Sequence, residues 1–375
     1  MGKINIVKVE NKAQEKAFIK LPRIIYKDDD AYVPNFDFEA LNTIRGKNNT
    51  IKESGPFEHI LAYGDGKLLG RATVGINNDI NQSKGIKEGY IALFECFNDK
   101  EVANEIFSYC IKWLKDRGID RVLGPLSLPN GEDYRGVLID NFQDPTLVMN
   151  TYNKPYYKEL FENFGFKKYW DCYAYKYTVK DGLQERFGKL IPYAMKKYGF
   201  TVEPMDMNNI DKEVNDIKTI IDNAMPEEWM EFIPPDDNQI NIIRKHLVKL
   251  IDPDLVYMAR DEKGEPIGFN LALPDYNQPL KEINGRVLPF GLIKFLLRRK
   301  KINRMRLFVL FVIPEYRKKG VAGAIYYNCF KACERKGYDY AEGSTIWEYN
   351  DVMMRDVVKA GAKKYKTYRI YEMNF

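Results

Sequence analysis

Arg317-Lys318-Lys319-Gly320-Val321-Ala322 is the stretch of this chain best suited to holding an anion. It follows an apolar run, Leu307 to Ile313, of the length of a buried strand. Pro314 ends that strand because it has no N–H to give to a ladder. An apolar helix is expected from Val321 to about Arg335. A helix starts with unpaired N–H groups and the positive end of its dipole, and Gly320 lets a diphosphate approach the main chain with no Cβ in the way. Two carboxylates downstream can move protons. Glu342 lies on the next expected strand, Tyr338 to Ile346, and shares a face with Ser344 by strand alternation. Beside a cleft its pKa can be raised and it can act as a base. Glu348 stands between Trp347 and Tyr349, just ahead of a helix expected over Asn350 to Ala360. Each has a plainer role: a surface carboxylate paired with a lysine for Glu342, complement to a helix dipole for Glu348.

The same order of elements occurs twice. At an offset of 219 (321 less 102), Val102-Ala103 matches Val321-Ala322, Cys110 matches Cys329, and Gly118, Asp120 and Gly124 match Gly337, Asp339 and Gly343. Further on the offset is 196 (361 less 165): Gly165-Phe166-Lys167-Lys168-Tyr169 matches Gly361-Ala362-Lys363-Lys364-Tyr365. The first copy therefore carries 23 extra residues (219 less 196), around Pro125 to Tyr152. Two copies of this length mean two similar domains rather than a solenoid. Where the second copy reads Arg317 to Gly320, the first reads Asn98-Asp99-Lys100-Glu101. Two acids there oppose a diphosphate, so the first copy is expected to be structural or to form a wall of the acceptor site.

Length and charge agree with this. A chain of 375 residues has room for two full cores, and a net charge of +5 suits a polyanionic ligand without arguing for nucleic acid, since Asp and Glu are spread throughout. No apolar run reaches membrane-spanning length, and the start, Met-Gly-Lys-Ile-Asn-Ile-Val, lacks a signal-peptide core. Five scattered cysteines point to a reduced cytoplasm. Two histidines, His59 and His246, make a zinc site or a serine–histidine triad improbable, so no metal is expected.

The elements that must position these residues are α/β throughout. Ile4 to Glu10 reads as a strand and Asn11 as a helix cap. A hairpin through Gly64-Asp-Gly-Lys joins two strands, Tyr90 to Phe97 leads into the degenerate turn, and Glu101 to Arg117 is an amphipathic helix. The expected divisions are 1–179, a joining helix within 180–199, and 200–375. The fold class is a mixed, mostly antiparallel sheet covered by helices in each half.

With Pro314 and an aromatic ahead of it and an apolar helix behind, Arg317 to Ala322 resembles the acyl-CoA motif of GNAT-family N-acyltransferases, Arg/Gln-x-x-Gly-x-Gly/Ala. The chain as a whole resembles an uncharacterised bacterial family of tandem GNAT-like proteins sharing Leu273 to Asn277, Asn284 to Arg286 and Tyr368 to Glu372. The resemblance implies that Ala341 to Ile346 splays from Val309 to Ile313, with main-chain groups of Leu310, Phe311 and Val312 pairing with pantetheine like an added strand. It implies that the amides of Lys318 to Ala322 hold the diphosphate and that Asn350 touches the pantetheine arm. It implies direct transfer from acetyl-CoA or a longer acyl-CoA to an amine of a small molecule or an amino-acid-like acceptor, with a strand N–H at the oxyanion and a carboxylate base. The family's tyrosine acid is replaced here by Val357; Tyr349, Tyr365 or Tyr368 are the substitutes at hand.

Val287 to Lys301 joins an apolar stretch to Arg298-Arg299-Lys300-Lys301. It suits a helix on a membrane surface, a cover for an acyl chain, or, more plainly, a packed helix with a solvated basic end. Gly124 to Thr151 and Ala224 to Asn238 are loops expected to shape the acceptor pocket. Two other activities stay open: a non-catalytic acyl-CoA binder, and a tRNA-dependent aminoacyl transferase of the peptidoglycan-bridge type, against which an intact cradle argues. A monomer or a homodimer is expected.

Overall fold

A computed structural model describes residues 3–129, 133–183, 185–225, 232–286 and 289–375. In chain order the first half runs β1 (Asn5–Lys8), α1 (Lys12–Ile25), α2 (Asp37–Ile44), α3 (Ile51–Ser54), β2 (Phe57–Gly64), β3 (Lys67–Ile76), α4 (Asn78–Lys84), β4 (Glu88–Cys96), α5 (Lys100–Lys115), β5 (Arg121–Gly124), β6 (Val137–Leu138), α6 (Tyr157–Phe164) and β7 (Lys167–Thr178). The second runs α7 (Glu185–Tyr198), β8 (Phe200–Pro204), α8 (Ile210–Ala224), α9 (Asp237–Leu247), β9 (Tyr257–Asp261), β10 (Pro266–Pro274), α10 (Asn277–Ile283), α11 (Gly291–Arg299), β11 (Arg304–Val312), α12 (Val321–Lys336), β12 (Tyr340–Trp347), α13 (Asp351–Lys359) and β13 (Lys363–Asn374).

The chain divides into two compact units: residues 1–172 with 277–299 and 366–375, and residues 173–276 with 300–365. In the first unit the strands lie in the order β1-β2-β3-β4-β5, all antiparallel except the parallel pair β4–β5. In the second the order is β8-β9-β10-β11-β12, again with only the final pair parallel. Strand for strand the two orders are the same, as the repeated sequence requires. The matched glycines agree too: Gly118 and Gly337 end their helices at φ +75° and +67°, Gly165 and Gly361 at +112° and +101°. Only a residue without a Cβ adopts that conformation at little cost, so those positions recur in both copies.

The first unit also holds β13 from Lys366 onward, whose Tyr371 to Asn374 pair antiparallel with Gly124 to Arg121 of β5. Its core gathers Ile91, Phe94, Ile106, Phe107, Phe161 and Tyr371. Tyr368-Arg369-Ile370-Tyr371-Glu372 is a plain buried strand, with Arg369 bound to both oxygens of Asp171 at 2.9 and 3.0 Å.

Candidate functional site

In the second unit, β11 and β12 begin as parallel neighbours and then part. The ladder runs from Arg304 opposite Tyr340 to Leu307 opposite Gly343 and goes no further. Yet β11 continues to Val312 and β12 to Trp347. The other edge of β11 stays paired with β10 as far as Val312 opposite Gly268. Leu310 and Phe311 are half-buried and Val312 is buried. The expected splay is therefore present, with main-chain groups of β11 beyond Leu307 facing a slot.

The turn that follows is built to deliver an open helix end. Pro314–Tyr316 form one 3-10 turn, Lys318 takes a left-handed φ of +64°, and Gly320 caps α12 at φ +92°. The first bond within the helix runs from Ala324 N to Gly320 O at 2.9 Å. The N–H groups of Val321, Ala322 and Gly323 lie ahead of it, and Gly320 supplies no side-chain cap. Lys319 sits over the ring of Tyr316 at 4.4 Å, and Lys318 is exposed. Arg317 is engaged within the protein. Its Nε donates to Val312 O at 3.2 Å and its Nη2 to Ala224 O at 2.6 Å, so the guanidinium ties the turn to the end of β11 and to α8.

The first copy has closed the corresponding places. Asp99 caps α5, its carboxylate accepting from Glu101 N and Val102 N at 2.9 and 3.2 Å. The anion that this helix end attracts is its own side chain. The slot beside β4 is filled as well: past the pairing of Tyr90 with Leu123, Leu126 N donates to Ile91 O at 2.8 Å. The turn is also shorter. Ladder positions Glu88 and Arg304 correspond at an offset of 216 (304 less 88), while the helices correspond at 219, so three residues have been added before α12 or lost before α5.

Glu342 is fully buried, not a surface carboxylate. Ser344 Oγ donates to its Oε1 at 2.5 Å, and the Tyr365 hydroxyl donates to its Oε2. Arg306 stands opposite it in the ladder and donates through Nε to Ser344 Oγ at 2.9 Å and through Nη2 to Ser344 O at 3.2 Å. Arg306 and Ser344 are buried as well. The result is a charge-bearing chain of four side chains at the point where the strands part. Arg306 was not singled out above. An arginine directly before the apolar run Leu307 to Ile313 was the available signal, because such a residue, once taken into the strand, must find a buried partner.

Glu348 does not serve the dipole of α13. Its Oε2 accepts from the Tyr173 hydroxyl at 3.3 Å, and the cap of α13 is Asn350, whose Oδ1 accepts from Met353 N at 3.1 Å. That leaves the amide nitrogen of Asn350 for a ligand. Tyr349 stacks on Trp347 at 5.6 Å. Val357, at the position of the missing tyrosine, packs with Tyr175 and Ile346 and offers no proton. Cys329 is a buried packing residue, touching Leu255 O at 3.6 Å and Asn270 Nδ2 at 3.4 Å. Of the loop Ala224 to Asn238, residues 226–231 lie outside the described residues.

Comparison with known proteins follows the same lines. Residues 215–351 match the Acetyltransferase (GNAT) family. Protein YghO of Escherichia coli (strain K12) is 28% identical over 374 residues, 96% of this chain and 93% of the relative. A bacterial ceramide synthase of Caulobacter vibrioides (strain NA1000 / CB15N) is 26% identical over 376 residues, 98% of this chain and 97% of the relative. Among solved structures, a tandem GNAT protein from the clavulanic acid biosynthesis pathway superposes with a TM-score of 0.62 at 8% identity, covering 99% of this chain and 98% of its own. The chain has the tandem GNAT fold, and residues 215–351, within its later half, match the acetyltransferase (GNAT) family.

Proposed function

We propose that the chain is an N-acyltransferase that moves an acyl group from acyl-CoA to an amine. One observation carries this reading: parted strands lead straight into a helix end that no side chain caps, whereas the earlier copy caps its own with Asp99. The residues suit such a donor. The main chain of Lys318 to Ala322, with Lys318 and Lys319, would hold the diphosphate. The edge of β11 across Leu310, Phe311 and Val312, unpaired with β12, would pair with the pantetheine arm, the Val312 carbonyl sharing its place with Arg317 Nε, and the amide nitrogen of Asn350 would touch the arm. Acyl-CoA supplies the activated thioester carbonyl. Glu342 would take the amine proton, directly or through the Tyr365 hydroxyl that it orients. Glu348 and Tyr349 would line the same end of β12. With Val357 unable to give a proton, Tyr365 is the hydroxyl best placed to do so.

The acceptor we favour is a long-chain amine rather than a free amino acid. The relative from Caulobacter vibrioides is named a ceramide synthase, and a ceramide is the amide of a long-chain amino alcohol; the likeness extends over 98% of this chain. The intact turn at Arg317 to Ala322 disfavours an aminoacyl-tRNA donor. The test is free-thiol release from acetyl-, octanoyl- and palmitoyl-CoA, with sphinganine and with short amines. Amine-dependent release supports the reading. Tight acyl-CoA binding with no release under any amine would leave a binding protein, and release that depends on charged tRNA would replace the donor.

A further inference from the structure

We infer that α11 and the basic residues after it form a docking surface for an anionic lipid bilayer. Of the readings open to this segment, the packed helix does not hold: no residue of α11 is fully buried. Phe290, Ile293 and Leu297 are 73%, 59% and 63% exposed, at a spacing that puts them on one face of a helix, and Leu292 and Leu296 flank them. The opposite side holds the helix to its own unit, where Phe295 meets Phe36 edge to face at 5.2 Å. Lys294, at the edge of the apolar face, donates through Nζ to Glu282 O at 3.0 Å. The apolar face is therefore presented outward by a helix that is anchored from behind.

Two further observations identify what would cover it. The apolar surface continues past the helix: Phe36 stacks on Phe38 at 5.2 Å, and Phe38 is itself half-exposed. The charge along the segment itself is one-sided, and of the acids beside Phe38, Asp37 is paired with Arg23 at 2.7 Å. From Lys281 to Lys301 there are seven lysines and arginines and one acid, Glu282, which Arg298 neutralises locally at 2.7 Å. A protein partner of ordinary composition does not call for that excess. Anionic headgroups above an acyl layer do, since apolar side chains enter the headgroup boundary while lysines and arginines stay among the phosphates. Lys300 and Lys301, both exposed, continue the basic end beyond α11. The inference does not depend on the acyl-transfer reading.

The experiment is co-sedimentation of the full chain with vesicles of phosphatidylglycerol and phosphatidylcholine, against vesicles of phosphatidylcholine alone. Two double variants accompany it, Ile293→Glu with Leu297→Glu, and Lys300→Glu with Lys301→Glu. All four side chains are exposed, so unchanged thermal melting is expected and is checked first. The parent should bind the anionic vesicles and weaken as salt rises. Each double variant should bind about tenfold less or worse, the lysine pair with a flatter salt dependence. Failure of the parent to bind, or binding by both variants as tightly as by the parent, overturns the inference. So does a concentration-dependent dimer of the parent that Ile293→Glu with Leu297→Glu abolishes without vesicles present, which would assign the face to a second copy of this chain.

Discussion

Glu342→Gln separates a proton-moving role from a structural one. The wild-type carboxylate accepts from Ser344 and from Tyr365, and both bonds end on a fully buried acidic group. Bonds to charged groups contribute about 1.5–3 kcal/mol each against about 1 kcal/mol for neutral ones, so neutralising the acceptor of two bonds loses about 2 kcal/mol. The change also removes the carboxylate that stands opposite Arg306 in the ladder and is linked to its guanidinium through Ser344 Oγ, and weakening the compensation of a buried charge is among the more costly single changes. Together the expected loss is about 2–4 kcal/mol, a fall in melting temperature of roughly 5–12 °C for a unit of this size. If Glu342 also moves the amine proton, kcat should fall a further hundredfold or more while the KM for acyl-CoA stays within about threefold. Tyr365→Phe removes one bond and leaves the charge opposite Arg306 in place, so it should melt within a few degrees of the parent yet lose most of its turnover. The measurements are a thermal melt and a thiol-release assay at saturating amine. Parental turnover in a Glu342→Gln protein that melts 5–12 °C early would confine Glu342 to structure. An unchanged melt would refute the energetic reasoning itself.

Three further outcomes follow from the geometry. Lys318→Glu with Lys319→Glu should weaken acyl-CoA binding at least tenfold by calorimetric titration and leave the melt unchanged, since neither side chain is buried; this pair is a cleaner test than Gly320→Glu, because Gly320 stands at φ +92° with Ala194 3.1 Å from where a Cβ would be. Asp99→Ala should destabilise the first unit by about 1 kcal/mol through the lost cap of α5 without creating a second acyl-CoA site, because Leu126 still occupies the slot beside Ile91. His59 is buried between Thr73 and the Ile44 carbonyl, and burial pulls its pKa down to about 4. The folded imidazole stays neutral while the unfolded one takes a proton below its ordinary 6.5, so stability should fall as pH drops from about 6.5 towards 4, by about 2 kcal/mol at pH 5. Urea midpoints at pH 7 and pH 5 measure this, and the pH-dependent difference should shrink by that amount in His59→Gln.

The parts legible in the sequence were those fixed by local chemistry. Pro314, Gly320 and the apolar run behind them dictate a strand end, a left-handed cap and a helix whatever surrounds them, and the doubled order of elements identified the fold. The silence of the first copy was legible for the same reason, since an aspartate at a helix start caps it. Side-chain destinations were not. Arg317 reaches carbonyls at Val312 and Ala224, the second of them 93 residues away, and nothing in its neighbours announces that. The buried state of Glu342 depends on Tyr365 and Arg306, which approach only once β11, β12 and the start of β13 are in place. For α11 the amphipathic pattern was visible, but periodicity states that a face is apolar without stating whether anything lies against it. The inclusion of residues 366–375 in the first unit was equally hidden, since strand partners are chosen by the assembled sheet.

That last pairing bears on how the protein is made. Tyr371, the partner of Gly124, leaves the ribosome 247 residues later (371 less 124). Until then β5 keeps an open flank that invites strands from other nascent chains. Cutting the gene at the repeat boundary would make that condition permanent, so an isolated first half should clump. Supplying residues 363–375 as a separate peptide should rescue it.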